Sequence, residues 1–218
     1  FQPLFRLTDQ HAVGVEALLR WQHPTRGLLG PDSFIWLAEQ SGLIVPIGDW
    51  VMRNACEQLA NATGDVANLR LSVNLSTRQL SDVDLPDRVA QILGQTALPA
   101  QRLELEITES MLMEDGPSIA NLHSLREIGV SLAIDDFGTG YSSFSYLKEL
   151  PVDVLKVDRS FVKTLPDATR DADISAAIIA MAHKLGVAVV AEGIETLEQL
   201  AFLRDNRCDF GQGFLWGQ

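Results

Sequence analysis

Short apolar runs alternate with helix-spaced apolar positions along nearly the whole chain. The runs at 2–7, 12–19, 69–75, 102–107, 130–135, 152–157 and 187–191, and a weaker one at 208–211, have the length of strands. Between them, 31–40, 46–62, 86–95, 116–128, 143–149, 171–185 and 196–205 carry apolar residues three and four apart, the spacing of a helix with one buried face. Gly129 and Gly186 stand where helices should stop and strands begin. Thr196 followed by Gln199 predicts a capping box at the start of the last helix.

Strands alternating with helices imply a parallel sheet covered by helices. Eight strands and seven or eight helices in 218 residues favour a closed TIM-type (β/α)8 barrel over an open doubly wound sheet. The start is irregular. Only Thr8 to His11 separates the first two strands, too little for a helical crossover, so that pair is predicted antiparallel and the barrel modified. No linker or low-complexity tract divides the chain, so one domain over 1–218 is expected. The beginning at Phe1 and the abrupt end at Gln218 read as a piece excised from a longer multidomain protein. The longest apolar stretch, Ile174 to Ala182, is too short to span a bilayer.

Six apolar stretches within these runs share one oddity, stopping at a polar side chain: Glu16, Asn74, Glu106, Asp135-Asp136, Lys156 and Glu192. In a barrel the carboxyl ends of the strands form the active face. Glu16, Asn74, Glu106, Asp135, Asp136, Lys156, Asp158, Glu192 and Gln212 would therefore surround one mouth. Acids converging without a cation would repel one another and force some to protonate. Hard oxygen ligands of this kind suit Mg²⁺ or Mn²⁺. The net charge of −12 argues against polymeric nucleic acid as a partner and makes cations the mediators of any phosphate binding. Cys56 and Cys208 lack paired spacing and read as buried free thiols in a reducing cytoplasm. His183 reads as a core or packing residue and His23 as a loop residue.

Glu16-Ala17-Leu18 followed by Leu19-Arg20-Trp21 resembles the signature of the EAL domain, the cyclic di-GMP phosphodiesterase family. The resemblance extends through Ser72-Val73-Asn74-Leu75-Ser76, Glu104-Leu105-Glu106-Ile107-Thr108-Glu109 and Asp135-Asp136-Phe137-Gly138-Thr139-Gly140. It continues in Lys156-Val157-Asp158, Ala191-Glu192-Gly193-Ile194-Glu195 and Gly211-Gln212-Gly213, in the family's order.

The resemblance implies hydrolysis of cyclic di-GMP to linear pGpG by a water activated between two Mg²⁺ or Mn²⁺ ions, with Ca²⁺ inhibitory. Glu16, Asn74, Glu106 and Asp135 would hold one ion; Asp135 would bridge to a second held with Asp136 and Glu192. Lys156 would orient and help deprotonate the water, with the base either Lys156 or Glu192 and Asp158 beside them. An ion pair of Lys156 with Asp158 or Glu192 is compatible with that role, and Asp158 is also placed to cap a helix at Arg159. Arg20, two residues past Leu18 on the same face of the strand, resembles the family's phosphate-contacting arginine. Gln2, Leu18, Glu195 and Gln212 resemble further substrate or water contacts, although Glu195 would also suit the positive end of a helix.

The segment from Asp136 to Leu147 resembles the family's loop beside the metals, with Glu109 as its anchor or simply a first-turn helix acid. Phe144, Tyr146 and Leu147 would support a homodimer contact or close the barrel. The family also implies flanking sensory or GGDEF-type domains, a cytoplasmic setting for this domain, and a parent that the inner membrane can anchor. The competing expectation is a catalytically silent cyclic di-GMP receptor; no metal, lysine or loop position matched here departs from the family pattern.

Overall fold

A computed structural model describes residues 1–113, 118–138, 147 and 150–217, with the side chains of 112, 113 and 118 left aside. Eight strands close a barrel in the order β1-β10-β9-β8-β7-β6-β5-β2. They are β1 (Gln2–Arg6), β2 (Ala12–Ala17), β5 (Arg70–Asn74), β6 (Leu103–Thr108), β7 (Ser131–Phe137), β8 (Val154–Val157), β9 (Ala188–Glu192) and β10 (Phe210–Gln212). β1 runs antiparallel to both neighbours, with Gln2 opposite Glu16 and Arg6 opposite Phe210; the other pairs are parallel. The barrel and its antiparallel first strand agree with the sequence pattern.

Alternation along each strand divides the side chains between two environments. Leu71, Val73, Leu103, Leu105, Ile107, Leu132, Ile134, Leu155, Val157 and Val189 join the main core with residues of the helices. Helix α2 (Ile44–Ala60) buries Met52, Ala55, Cys56 and Leu59, and α4 (Leu85–Thr96) buries Leu85, Val89, Ile92 and Leu93, all at helical spacing. Each such aliphatic side chain contributes about 1.5–3 kcal/mol when fully buried. A second, small cluster of Ala133, Val154 and Val190 gathers Leu4, Ala188 and Phe210.

Helix ends follow local chemistry. α5 (Ser118–Ile128) and α7 (Thr169–Lys184) each end at a glycine of positive φ, Gly129 and Gly186. There Val130 and Val187 donate their N–H to Leu125 and Ala182, and the glycines to Arg126 and His183, which is the Schellman pattern. Thr196 and Gln199 make the capping box of α8 (Leu197–Asp205).

Several sequence expectations need correction. β2 ends at Ala17, so Leu18 and Arg20 follow the strand and do not share a face of it. The chain then forms a separate hairpin, β3 (Trp21–His23) with β4 (Gly27–Leu29), and His23 closes β3 where a loop was expected. The 31–40 helix divides into a 3-10 turn at Pro31–Ser33 and α1 (Ile35–Ser41). One short helix went unforeseen, α3 (Thr77–Leu80), while α6 (Arg159–Val162) begins where Asp158 was expected to cap a helix. His183 is exposed and bonds Asp209 at 2.9 Å, so it is not a core residue. The expected helix at 143–149, with Phe144 and Tyr146, lies outside the described residues except for the buried Leu147. Both cysteines are free and buried, and among the described residues no helix is long and apolar enough to cross a membrane.

Candidate active site

The carboxyl ends of the barrel strands bring Glu16, Asn74, Glu106, Asp135, Lys156, Glu192 and Gln212 together. Lys156 is the hub. Its Nζ lies 2.7 Å from Glu106, 2.7 Å from Glu192, 3.4 Å from Asp135 and 3.7 Å from Glu16, with only 2% of the side chain exposed. Burial alone would drive the ammonium towards neutrality, but the charges of Glu106, Glu192, Glu16 and Asp135 outweigh it and hold the lysine protonated well above its ordinary range. Of the two pairings considered for Lys156, the one with Glu192 forms. Asp158 is not among its partners: its carboxylate accepts from Ser160 N–H at 3.0 Å and caps α6.

One ammonium cannot neutralise this ring. Burial pushes Glu106 well above the usual carboxylate range, with Glu16 and Asp135 adding to the effect against Lys156. Burial likewise pushes Glu192 up to about 7. For Glu16, burial is overcome by Lys156, Gln212 and Asn74, and its carboxyl titrates below the ordinary value. The two amides act as braces. Asn74 donates Nδ2 to Glu16 at 2.7 Å, which leaves the amide oxygen to offer to a cation. Gln212 donates Nε2 to both Glu16 and Glu192 at 2.9 Å. The tie between two carboxylates was not foreseen from sequence, where Gln212 resembled only a substrate or water contact.

A β-bulge sets the adjacent aspartates. Ile134 pairs with Leu155 and Phe137 with Val157, so Asp135 and Asp136 together oppose the single residue Lys156. Asp136 takes a left-handed backbone, φ 54°. Carboxylate oxygens of Asp135, Asp136 and Glu192 thereby come within 4.8 Å of one another, a group that could hold a metal ion. Burial, then the charges of Asp135 and Asp158, raise Asp136 as well. Among the described residues this is the carboxylate trio so arranged; Glu16 and Glu106 instead gather on Lys156.

The remaining candidates lie around this centre. Glu109 is buried and accepts from Gly138 N–H at 3.0 Å, tying the turn after β6 to the end of β7. Gln2, Leu18 and Arg20 line one cavity of about 290 Å³ with Phe214 and Trp216. Arg20 is exposed, with its guanidinium on the Leu19 carbonyl at 2.9 Å. Glu195 is exposed at the start of α8, and its N–H donates to Gln199 at 2.7 Å. A second cavity, about 410 Å³, contains Leu18, Asn74, Ser76 and Gln79.

Gln79, which lines that second cavity, was not singled out from the sequence. It accepts from the N–H and hydroxyl of Ser76 at 3.2 and 3.1 Å and so caps α3 directly after Asn74. The Ser76-x-x-Gln79 spacing is the capping-box signal that could have revealed it.

Comparison with known proteins finds relatives that match the whole chain. A family model described as the EAL domain matches residues 1–218. The chain is 51% identical over its whole length to the cyclic di-GMP phosphodiesterase NbdA of Pseudomonas aeruginosa, of which it spans 28%. It is 44% identical to the bifunctional diguanylate cyclase/cyclic di-GMP phosphodiesterase MucR of the same organism, of which it spans 32%. The chain thus covers less than a third of these relatives. A solved structure described as PaMucR phosphodiesterase in complex with cyclic di-GMP superposes with a TM-score of 0.92 at 44% identity, covering 100% of this chain and 89% of the other. The FimX EAL domain from Pseudomonas aeruginosa bound to cyclic di-GMP gives 0.87 at 28% identity, covering 98% and 86%. Matched from its first residue to its last, the chain belongs to the EAL domain family.

Proposed function

We propose that this chain hydrolyses cyclic di-GMP to linear pGpG with the help of divalent cations of the Mg²⁺ or Mn²⁺ class. The observation that carries this reading is the trio of Asp135, Asp136 and Glu192, beside a lysine surrounded by four carboxylates. Such a concentration of oxygen donors fits hard cations, and one ammonium leaves it short of positive charge. Asp135, Asp136 and Glu192 would hold one ion, and Glu16, Asn74, Glu106 and Asp135 the other. The ions supply charge for the phosphodiester oxygens and acidify the attacking water.

The chain's own groups then orient the reaction. Lys156, kept protonated, donates hydrogen bonds and fixes the water's direction. Glu192 has the most exposed side chain of its four partners, at 17%, and is the carboxylate best placed to take the water's proton. Arg20 and Gln2, at the edge of the same mouth, would meet substrate phosphate and base.

The test is chromatography of cyclic di-GMP incubated with the purified chain in Mg²⁺, Mn²⁺, Ca²⁺ or EDTA. Linear product with Mg²⁺ or Mn²⁺, its absence with EDTA and with Glu16→Ala, and little turnover with Ca²⁺ are expected. Ca²⁺ binds through a looser, larger sphere that misplaces the water. Tight binding without product in any metal would replace the enzyme by a receptor.

A further inference from the structure

Arg159 stands at the mouth with no part in the chemistry above. It opens α6, shortly past the buried Lys156, and its side chain is exposed. Gly193 fixes its position. That glycine directly follows Glu192 with φ 71°, and a Cβ on it would meet the Cβ of Arg159 at 2.7 Å. The stem of the arginine therefore lies against the turn that leaves β9, beside a member of the carboxylate trio. Its charge is felt there. Burial and then the charges of Asp135 and Asp158 raise the Asp136 carboxyl, while Lys156 and Arg159 pull it the other way.

Arg159 is nevertheless not tied to an acid. Among the described residues it enters no ion pair. Asp158 beside it accepts from Ser160 N–H, and Asp136 lies with Asp135 and Glu192. Strand order sets Arg159 opposite Arg20. β8 leads to Arg159 and β2 to Arg20; the two run parallel and stand four places apart in the ring of eight. Both arginines thus leave the same mouth, from opposite sides. Arg20 is exposed as well, its guanidinium resting on the Leu19 carbonyl.

A cyclic dinucleotide closes its ring through two phosphates, and cations held in the carboxylate ring can take only the one being cut. We propose that Arg159 is a further substrate-binding residue, holding one phosphate of the cyclic dinucleotide while the other turns towards Arg20. The guanidinium fork matches phosphate oxygens, and the acids nearby are otherwise engaged, which leaves it open to the ligand. This rests on the reading of the mouth as a cyclic di-GMP site.

Calorimetric titration in Ca²⁺, where little turnover is expected, tests it with cyclic di-GMP and with GpG, a linear dinucleotide carrying a single phosphate. Cyclic di-GMP is expected to bind about tenfold more weakly to Arg159→Ala and to return to within about threefold of the parent in Arg159→Lys. GpG, which the ions and Arg20 suffice to hold, should bind parent and variants alike. Unchanged affinity for cyclic di-GMP in Arg159→Ala would overturn the contact and leave the reading of the mouth intact. Equal losses for both ligands would reduce Arg159 to a support of α6 and overturn it too. A parent chain that binds no cyclic di-GMP in any metal would remove the functional reading and this contact together.

Discussion

The Nζ of Lys156 lies 2.7 Å from Oε2 of Glu106, and each side chain is only 2% exposed. An ion pair this deep is weak evidence for stability by itself, because desolvating both charges offsets much of their attraction. Removing one partner is different: it leaves a buried charge with nothing to answer it.

Replacing Lys156 by Met is therefore expected to destabilise the metal-free chain by about 3–5 kcal/mol in urea denaturation. Mn²⁺ should restore part of that loss by supplying the missing positive charge, while turnover stays absent. A metal-free variant as stable as the parent would show that the ring does not depend on the lysine.

Acidity at Glu192 gives a pH signature. Its folded pKa of about 7 lies above the ordinary carboxylate value of 4.5. The folded state thus holds a proton that the unfolded chain releases, so the stabilisation is complete below pH 4.5 and is lost as pH rises through 7. In EDTA the melting temperature should fall between pH 5 and 8, whereas saturating Mg²⁺ should flatten that fall. Cation binding must displace the same proton, so apparent Mg²⁺ affinity should rise by up to about tenfold per pH unit below 7 and then level. Affinity independent of pH would separate Glu192 from the ion.

Asp136 sits at φ 54°, a conformation that Asn tolerates as well as Asp. Asp136→Asn should therefore fold normally and lose charge alone. Turnover is expected to drop by roughly a hundredfold, with substrate affinity altered far less. Steady-state kinetics with unchanged kcat would remove Asp136 from the metal trio.

Gly48 has a packing role. A Cβ there would collide with Nε2 of Gln79, a buried donor that has no hydrogen-bond partner among the described residues. Gly48→Ala must push aside the side chain that caps α3 next to Asn74, at a cost of about 1–3 kcal/mol. Adding Gln79→Ala should relieve the clash, so the double variant should be more stable than the sum of the two losses. Strict additivity in a thermal-melt cycle would refute the coupling.

Burial raises the thiols of Cys56 and Cys208 to about 12. Neither should react with an exposed-thiol reagent at pH 8 in the native chain, and both should react in denaturant. Rapid native labelling of either would mean that the helix or strand carrying it opens readily.

Some of this was legible along the chain, because it depends on neighbours a few residues apart. Strand alternation, the glycine stops at 129 and 186 and the Thr196–Gln199 box are local signals. So was the set of polar strand ends, from Glu16 to Gln212, since a run that must be buried cannot end at random on an acid. The β3–β4 hairpin was not, because three-residue strands carry too little periodicity. Tertiary closure alone decided how the polar ends meet. It placed Lys156 among four carboxylates, set the bulge that turns Asp135 and Asp136 towards Glu192, and stretched Gln212 from Glu16 to Glu192 across strands nearly 200 residues apart in sequence. It also packed Leu4 and Phe210 onto Ala133, Val154 and Val190 at the opposite end. Periodicity reports which face of a strand a residue occupies; register and curvature, properties of the closed sheet, set the distances between faces.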